Sequence, residues 1–590
     1  MIINQDKKYC KTLSFTRGFV NGSKIGSSLF LKCVAVFAEN GGVKTILILG
    51  AGFMQGIAIR EAKKMGLRVI AVDGNPNAVC ASEAHIFENI DLKDIEALTA
   101  FAKKFKAEHG LDGVFTAATD FSYSVAKIAE ACNLAGHSAN ACLNATNKVL
   151  MRECFKKAKV PSVGFFSVER KSLPTLENLL VASGLCFPLV VKPADNMGAR
   201  GCQKVRKFEA LQAAVENALD FSRTETAIVE KFIDGKEFSL EGIIVGEKFY
   251  ITALADRHIF FPPYFIEMGH SIPADVSRKD ALKLCAAFEQ GARALGLSYG
   301  VCKGDIFLSN GKAFIGEIAA RLSGGYMSGW TVPYSSHIPI TRLALQLSLG
   351  EAGAVCAKLE KTKCPPTCKN TKVFCAERAW ISIPGEVAAV YGLEDASKVC
   401  GVENIFPRAE KNSRVVFPSN NVEKCGNVLA TARSYKKACS RAEQAAQKII
   451  LRLKPNDGKT EAYLKCKEKK SNDGEIVQPG FFALTDEQQR SLGEKLYSEK
   501  DLTLRKIIVP KKNETSMIVF PVALAPFLRK VYDVQGRSLL KALKQMFRIE
   551  PELVSWLCEN TQTETGKVFW QMFLRGGIQG GLYAYDSQKQ

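Results

Sequence analysis

No stretch of this chain reaches about 18 consecutive apolar residues, so a transmembrane helix is not expected. No internal repeat is visible, which sets aside solenoid and propeller architectures. The 19 cysteines are an odd, scattered set, and a chain of 590 residues can bury its own core without a disulfide scaffold. A reducing, cytoplasmic setting is the simpler expectation. Cys364, Cys368 and Cys375 lack a fourth ligand at zinc spacing and read as a loop with free thiols. The net charge of +20 first suggests a polyanion partner. It is spread as +4 over residues 1–43, +10 over 44–450 and +6 over 451–590, with no dense basic block. Helix-turn-helix, zinc-finger and RNA-recognition patterns are absent, so no nucleic-acid partner is expected.

What is present is ordinary globular composition, 47% apolar and 24% charged, in a length that implies about three to five domains or subdomains. Residues 1–43 are basic, with six Lys/Arg against two Asp/Glu, and read as a disordered or leader segment. A signal peptide cleaved at Val36-Phe37-Ala38 is set aside, because the chemistry below is cytosolic. At Lys44 the pattern changes. The apolar strand Thr45–Leu49 leads into Gly50-Ala51-Gly52 and a helix from Ile57 to Met65, then a second strand, Arg68–Val72, ending in Asp73. This is a βαβ unit, and residues 44–140 are expected to form a doubly wound α/β domain. Gly50, Gly52 and Gly56 sit where a dinucleotide fingerprint would, but the third glycine is one residue late. A tight turn or a small-substrate site is the better reading. Further on, a helix is expected over Lys148–Lys157 and another over Ala281–Leu295. The strands Val301–Leu308 and Ala313–Ile318 are joined by the turn Ser309-Asn310-Gly311. Residues 434–453 read as one helix, 454–480 as a charged linker, and 481–590 as a separate, mostly helical region of unassigned role, with Met517–Leu528 as buried core.

The chemistry gathers in the middle of the chain. Pro188-Leu189-Val190-Val191-Lys192-Pro193 is a buried strand ending in a lysine, followed by a loop holding Asn196, Gly198, Ala199, Arg200 and Gly201. Such a loop offers backbone N–H groups to phosphate oxygens while the lysine supplies a point charge. It is not the Walker A loop, since no Gly-Lys-Ser/Thr follows. Asp305 and Glu317, on neighbouring strands, suit Mg²⁺, which takes oxygen ligands and shares them with phosphates. Arg321 is close enough to clamp a transferred phosphoryl group. The segment Ala255–His270 holds two of only six histidines and mixes aromatics with charges, as an apolar pocket with a few polar anchors does. Tyr326 and Trp330 either line that pocket or pack in the core.

In this order and spacing, Lys148, Val-Val-Lys-Pro, the glycine loop, Val229-Glu230-Lys231-Phe232-Ile233, Gly235-Lys236-Glu237-Phe238-Ser239 and Gly316-Glu317-Ile318-Ala319-Ala320-Arg321 resemble the ATP-grasp superfamily over about residues 44–450. The likeness is to carboxylate–amine ligases of the L-amino-acid ligase and carbamoyl-phosphate-synthase-like type, with biotin carboxylases as competitors. It implies α/β and α+β multidomain architecture. A pre-ATP-grasp domain (44–140) precedes an ATP-grasp domain of two α+β subdomains (141–350, lid about 160–232), then a small C-terminal β-rich domain (351–453). The implied ATP contacts are Lys148, Lys192 and the loop Asn196, Gly198, Ala199, Arg200 and Gly201. Glu230, Lys231 and Ile233 would form the adenine hinge through backbone groups, and Glu237 would hold the ribose. Asp305 and Glu317 would hold Mg²⁺ (or Mn²⁺). Many members carry Glu-x-Asn-x-Arg here; Ala319 cannot ligate, so a second metal would be held more weakly or by Glu317 and phosphates alone. Arg321, Glu267 and His270 are the implied catalytic set, Glu267 holding a substrate amine and His270 orienting it or moving a proton. The alternative is that Glu267 and His270 are structural hydrogen-bonding groups.

The implied reaction phosphorylates a carboxylate with ATP and passes the acyl group to an amine. Partners are therefore small carboxylates and amines, without nucleic acid or membrane, and a homodimer is left open. Competing readings are phosphorylation of bicarbonate and a catalytically silent ATP-binding regulator. No biotin-attachment Met-Lys-Met is present in the chain.

Overall fold

The computed structural model describes residues 42–261, 263–361, 371–465, 504–510, 515–529, 532–533, 535–560 and 562–589. The positions Cys364 and Cys368, most of the expected leader and the 466–480 part of the expected linker lie outside the described residues.

The first domain is a parallel sheet of β1 (Thr45–Leu49), β2 (Arg68–Val72), β3 (Ile86–Glu88) and β4 (Gly113–Phe115) in the order β3-β2-β1-β4. β1 is buried throughout because both faces are covered. Ile46 and Ile48 point into one apolar cluster and Leu47 and Leu49 into another, as period-two alternation requires. The chain order reverses between β1 and β4, so a crevice opens at their carboxyl ends. The glycine turn and the segment Thr116–Asp120 sit there.

A lid sheet follows, built of β5 (Phe165–Glu169), β6 (Leu189–Pro193), β7 (Gln203–Val205) and β8 (Thr226–Lys231). The strands are antiparallel in the order β5-β8-β6-β7, and the helices Leu176–Ser183 and Leu211–Phe221 cover one face. The next strands are β9 (Lys236–Val245), β10 (Lys248–Phe260), β11 (Ile266–Ile272), β12 (Tyr299–Ser309), β13 (Lys312–Ala319) and β14 (Phe374–Trp380). After them come β15 (Gly385–Tyr391), β16 (Val402–Pro407), β17 (Arg414–Val415), β18 (Gly426–Ala432) and β19 (Ile450–Leu453). One eight-stranded sheet, β13-β12-β9-β10-β11-β14-β18-β16, runs from the central domain into the small C-terminal domain without a break. The α/β and α+β organisation expected from the sequence is thus the one observed, and the β12–β13 hairpin turns at Asn310-Gly311.

Three expectations change. The single helix over 434–453 divides into a helix, Tyr435–Ala446, and β19. Its end, Ile449-Ile450-Leu451, is a continuous buried apolar run that suits a strand better than one amphipathic face. The described part of the expected linker includes a helix, Gly458–Lys465, with Tyr463 and Leu464 buried. The C-terminal region begins with a hairpin of β20 (Leu504–Pro510) and β21 (Thr515–Pro521) before its helices Leu539–Ile549, Leu553–Asn560 and Glu564–Asp586. Nor is it separate: Trp380, Ile383 and Leu453 of the small domain share one core with Phe520, Met546, Phe569 and Trp570. The last helix kinks at Gly577, in a positive-φ conformation open to glycine. Beyond the kink, the Gln579 amide donates to the Leu451 carbonyl at 3.1 Å and to Ser382 Oγ at 2.7 Å.

Candidate active site

The central sheet, the lid, the first domain and the small domain enclose one cleft of about 1600 Å³. It collects Lys148, Lys192, Asn196, Gly198, Ala199, Arg200, Glu230, Lys231, Ile233, Glu237, Glu267, His270, Asp305, Glu317 and Arg321. Gly201 is not among its lining residues. A side chain at Gly201 would meet Phe221 and Pro193, so this glycine serves the close packing of the loop onto the lid.

Asn147 starts the helix Lys148–Lys157 by accepting from the Val149 and Leu150 amides at 2.9 and 3.2 Å. Its first turn thereby presents Lys148, whose Nζ donates to the Asn196 carbonyl at 2.8 Å and lies 3.5 Å from Glu317. One turn later Arg152 is buried. Its Nε donates to Glu230 Oε1 at 2.7 Å, while Lys192 Nζ donates to Glu230 Oε2 at 2.7 Å. Arg152 also donates to the Ile315 and Gly316 carbonyls at 2.9 and 2.6 Å, joining the lid to β13. Burial alone would raise the Glu230 carboxyl, but the charges of Arg152 and Lys192 outweigh it and hold it at about 2. The Glu230 side chain is therefore an ion-pair hub. Its backbone pairs with Phe165 and Val190, and the Lys231 amide donates to the Gly164 carbonyl at 3.0 Å. Lys231 and Ile233 remain on the cleft wall.

Asp305 and Glu317 lie directly opposite each other on β12 and β13, with a bulge immediately after Asp305. Ser239 Oγ donates to Asp305 at 2.7 Å and Lys303 pairs with it. Both groups offer only oxygen donors and both are balanced by cations, a donor set that fits a hard divalent ion.

The residue that sequence reasoning passed over is Arg257. It stands in the Ala255–His270 segment, opposite His270 in the β10–β11 register. Its guanidinium pairs with Glu237, with Glu267 at 2.7 Å and with Asp305 at 2.9 Å. One cation thus joins the expected ribose, amine and metal carboxylates. Burial would raise Glu267, but the charges of Arg257, Lys424 and His270 hold it at about 2. Glu237 is raised, by burial first and then by the neighbouring charges of Asp305 and Glu267, despite Arg257. Its signal in the sequence was the charged run Asp256-Arg257-His258 interrupting an otherwise apolar strand.

His270 is buried, with Nε2 2.6 Å from Thr331 Oγ1 and Nδ1 3.2 Å from Glu377. With both ring nitrogens engaged, the geometry suits orientation of a neighbour better than proton relay. Gly269 makes this possible: at φ +150° a Cβ would fall 2.0 Å from the Glu377 carbonyl oxygen. Only glycine lets β11 approach β14 so closely. Arg321 donates through Nε to Asp120 at 2.8 Å, tying the central sheet to the first domain.

The glycine turn of the first domain is filled from within. Asp73 accepts from the Ala51 amide at 2.8 Å, and the Gln55 side chain lies against Gly50 and Gly52 on its way to the Ala117 carbonyl. This favours a tight turn over a dinucleotide cradle. Beside it Phe53, Tyr326, Trp330 and Phe406 pack together, Tyr326 stacking on Phe406 at 4.5 Å. Phe53, Tyr326 and Phe406 face the cleft, and Trp330 backs them.

Several depressed groups set a pH dependence of stability, His137 and Glu230 among them, with His258 lowered in the same window as His137 and Glu267 and Asp305 in the same window as Glu230. Burial lowers His137 to about 4 from an ordinary value near 6.5, and Glu230 is held at about 2. Both folded values are depressed, so both contributions are complete above the unfolded values and are lost as pH falls. Urea midpoints should be flat above about pH 7, fall first through the His137 range and again below about pH 4.5. A midpoint unchanged from pH 7 to 5 would mean that neither His137 nor His258 is kept neutral by burial.

Two family models match the chain: an ATP-grasp domain over residues 185–329 and L-amino acid ligase C-terminal domain 2 over residues 379–454. The uncharacterized protein y4rH of Sinorhizobium fredii is 22% identical over 391 residues, covering 66% of this chain and 78% of that protein. The C-terminal section of the carbamoyl phosphate synthase large chain of Methanocaldococcus jannaschii is 23% identical over 384 residues, 62% of this chain and 59% of that protein. Among solved structures, the L-amino acid ligase of Bacillus licheniformis superposes with a TM-score of 0.59 at 20% identity, covering 70% of this chain and 100% of that one.

Proposed function

Because the chain belongs to the ATP-grasp superfamily, we propose that it is a ligase joining a small carboxylate to an amine through an acyl phosphate, releasing ADP and phosphate. The observation that carries this reading is the meeting, in one cleft, of Lys148, Lys192 and Arg321 with the paired carboxylates Asp305 and Glu317. The enzyme uses ATP and Mg²⁺. When bound, the metal neutralises charge on the phosphates, and Asp305 and Glu317 would hold it. Lys148 and Lys192 would contact the phosphates, and the loop 195–201 would close over them and exclude water. A substrate carboxylate oxygen attacks the γ-phosphorus and ADP leaves. Arg321 would balance the charge that develops on the transferred group. The amine then attacks the acyl carbon, phosphate leaves, and the amine gives up its proton. Glu267 and His270, which both line the cleft, would orient an ammonium-bearing substrate, with the buried Glu377 behind His270 at 3.2 Å.

The aromatic wall of Phe53, Tyr326 and Phe406 supports a substrate with an apolar side chain rather than bicarbonate. No helix among the described residues is long and apolar enough to cross a membrane. The described cysteines are free thiols, which suits the cytoplasmic setting of this reading.

An ADP-release screen over amino acids, small carboxylates and bicarbonate tests the proposal. Mg²⁺-dependent release is expected only with an acid–amine pair, falling by about 10²-fold or more in Lys192→Ala and Glu317→Ala. Release driven by bicarbonate without an organic acid would transfer the reading to the bicarbonate class. Silence across the panel with ATP still bound would favour a regulator.

A further inference from the structure

The Glu267 carboxylate is held by Arg257, but its backbone is held by something else. β11 bulges at this point, since His258 pairs with Gly269 and Ile259 with Glu267, leaving Met268 as the extra residue. The ladder between β11 and β14 covers only Gly269–Ile272. Glu267 therefore lies beyond its end. Its amide donates to Asn421 Oδ1 at 2.7 Å, and its carbonyl accepts from the buried Lys424 Nζ at 2.8 Å. Both partners come from one loop of the small domain. That loop is braced from within, because Glu423 accepts from the Ser419 amide at 2.7 Å and Asn420 accepts from the Val422 amide at 3.0 Å.

The same loop also touches the lid. The Asn421 amide donates to the Gly198 carbonyl at 3.0 Å, and a Cβ on Gly198 would stand 3.8 Å from Val422. Asn421 thus grips the glycine loop with its backbone and Glu267 with its side chain.

We propose that Asn421 is a positioning residue that couples closure of the glycine loop over phosphates to the placement of Glu267, with Lys424 completing the clamp. The proposal rests on the ligase reading of this cleft. With the loop closed, Gly198 steadies Asn421 and Asn421 steadies Glu267. The acyl phosphate then forms only when the residue expected to hold the amine is in place, which limits its loss to water.

Hydrogen exchange on the full chain, with and without Mg·ATP, tests this. In the unaltered protein, Mg·ATP should slow exchange in 195–202 and 265–269 together. Asn421→Ala keeps the amide that meets Gly198 but removes the acceptor for Glu267. Protection of 195–202 should survive, while 265–269 exchanges about tenfold faster, the effect of one lost hydrogen bond. Asn421→Asp keeps an acceptor and should restore protection. Lys424→Met should loosen 265–269 in the same way. In turnover, Asn421→Ala should raise ADP released per coupled product. Unchanged protection of 265–269 in Asn421→Ala, or protection of 195–202 alone in the unaltered protein, overturns the coupling while leaving the ligase reading intact. Absence of any protection of 195–202 by Mg·ATP overturns the ligase reading and the coupling with it.

Discussion

Glu230→Ala is expected to lower stability by about 3–5 kcal/mol and to abolish ATP turnover. Glu230 and Arg152 are almost wholly buried, and Lys192 is mostly so. The carboxylate is the shared counter-ion of both cations. Removing it leaves two charges in a low-dielectric setting with no anion, and the cost is the desolvation no longer offset. Arg152 would still have the Ile315 and Gly316 carbonyls, but these dipoles cannot replace a full charge. Lys192 would lose the partner that keeps it charged and aimed into the cleft, so nucleotide affinity should fall together with stability. Glu230→Gln keeps the shape and one acceptor and should lie between the two. The first urea transition and ATP affinity, measured on both variants, check this. A Glu230→Ala protein within about 1 kcal/mol of the unaltered one would mean that water reaches this pair.

Arg257→Ala should reduce turnover by about 10²-fold or more. The guanidinium is the main charge holding Glu267 near 2 against burial. Without it, burial is opposed only by Lys424 and His270, and the Glu267 value should rise. A carboxylate must be ionised to hold an ammonium. The residual activity should therefore gain a rising limb, increasing with pH through the new Glu267 value, where the unaltered enzyme has none from this group. Arg257→Lys restores charge but not the fork that reaches three carboxylates, so it should recover only part of the rate. Residual activity that is high and flat with pH would show that the carboxylates are balanced by Lys303 and Lys424 alone.

Much of this enzyme was legible from local chemistry. A continuous apolar run ending in Gly50 marks a strand covered on both faces. Ser309-Asn310-Gly311 between alternating segments marks the hairpin that sets Asp305 against Glu317. The lysine strand and its glycine loop carry the proposed phosphate site, because backbone N–H groups and a point charge are supplied by neighbours in sequence. Where local signals conflicted, packing decided. Ile449-Ile450-Leu451 followed a convincing helix and became strand β19, because it completes the pairing with β15. The region 481–590 read as separate, yet its Trp570 lies in the small domain's core.

The residue types at the cleft and the order in which they arrive follow from the amino-acid sequence alone. Which charge answers which carboxylate follows only from the fold. Arg321 meets Asp120 across 201 positions, Glu267 meets Asn421 across 154, and Arg152 meets Glu230 across 78. No periodicity spans such separations. An ion pair or a backbone clamp is a matter of a few ångströms between side chains from different sheets, and those distances exist only once the sheets have packed.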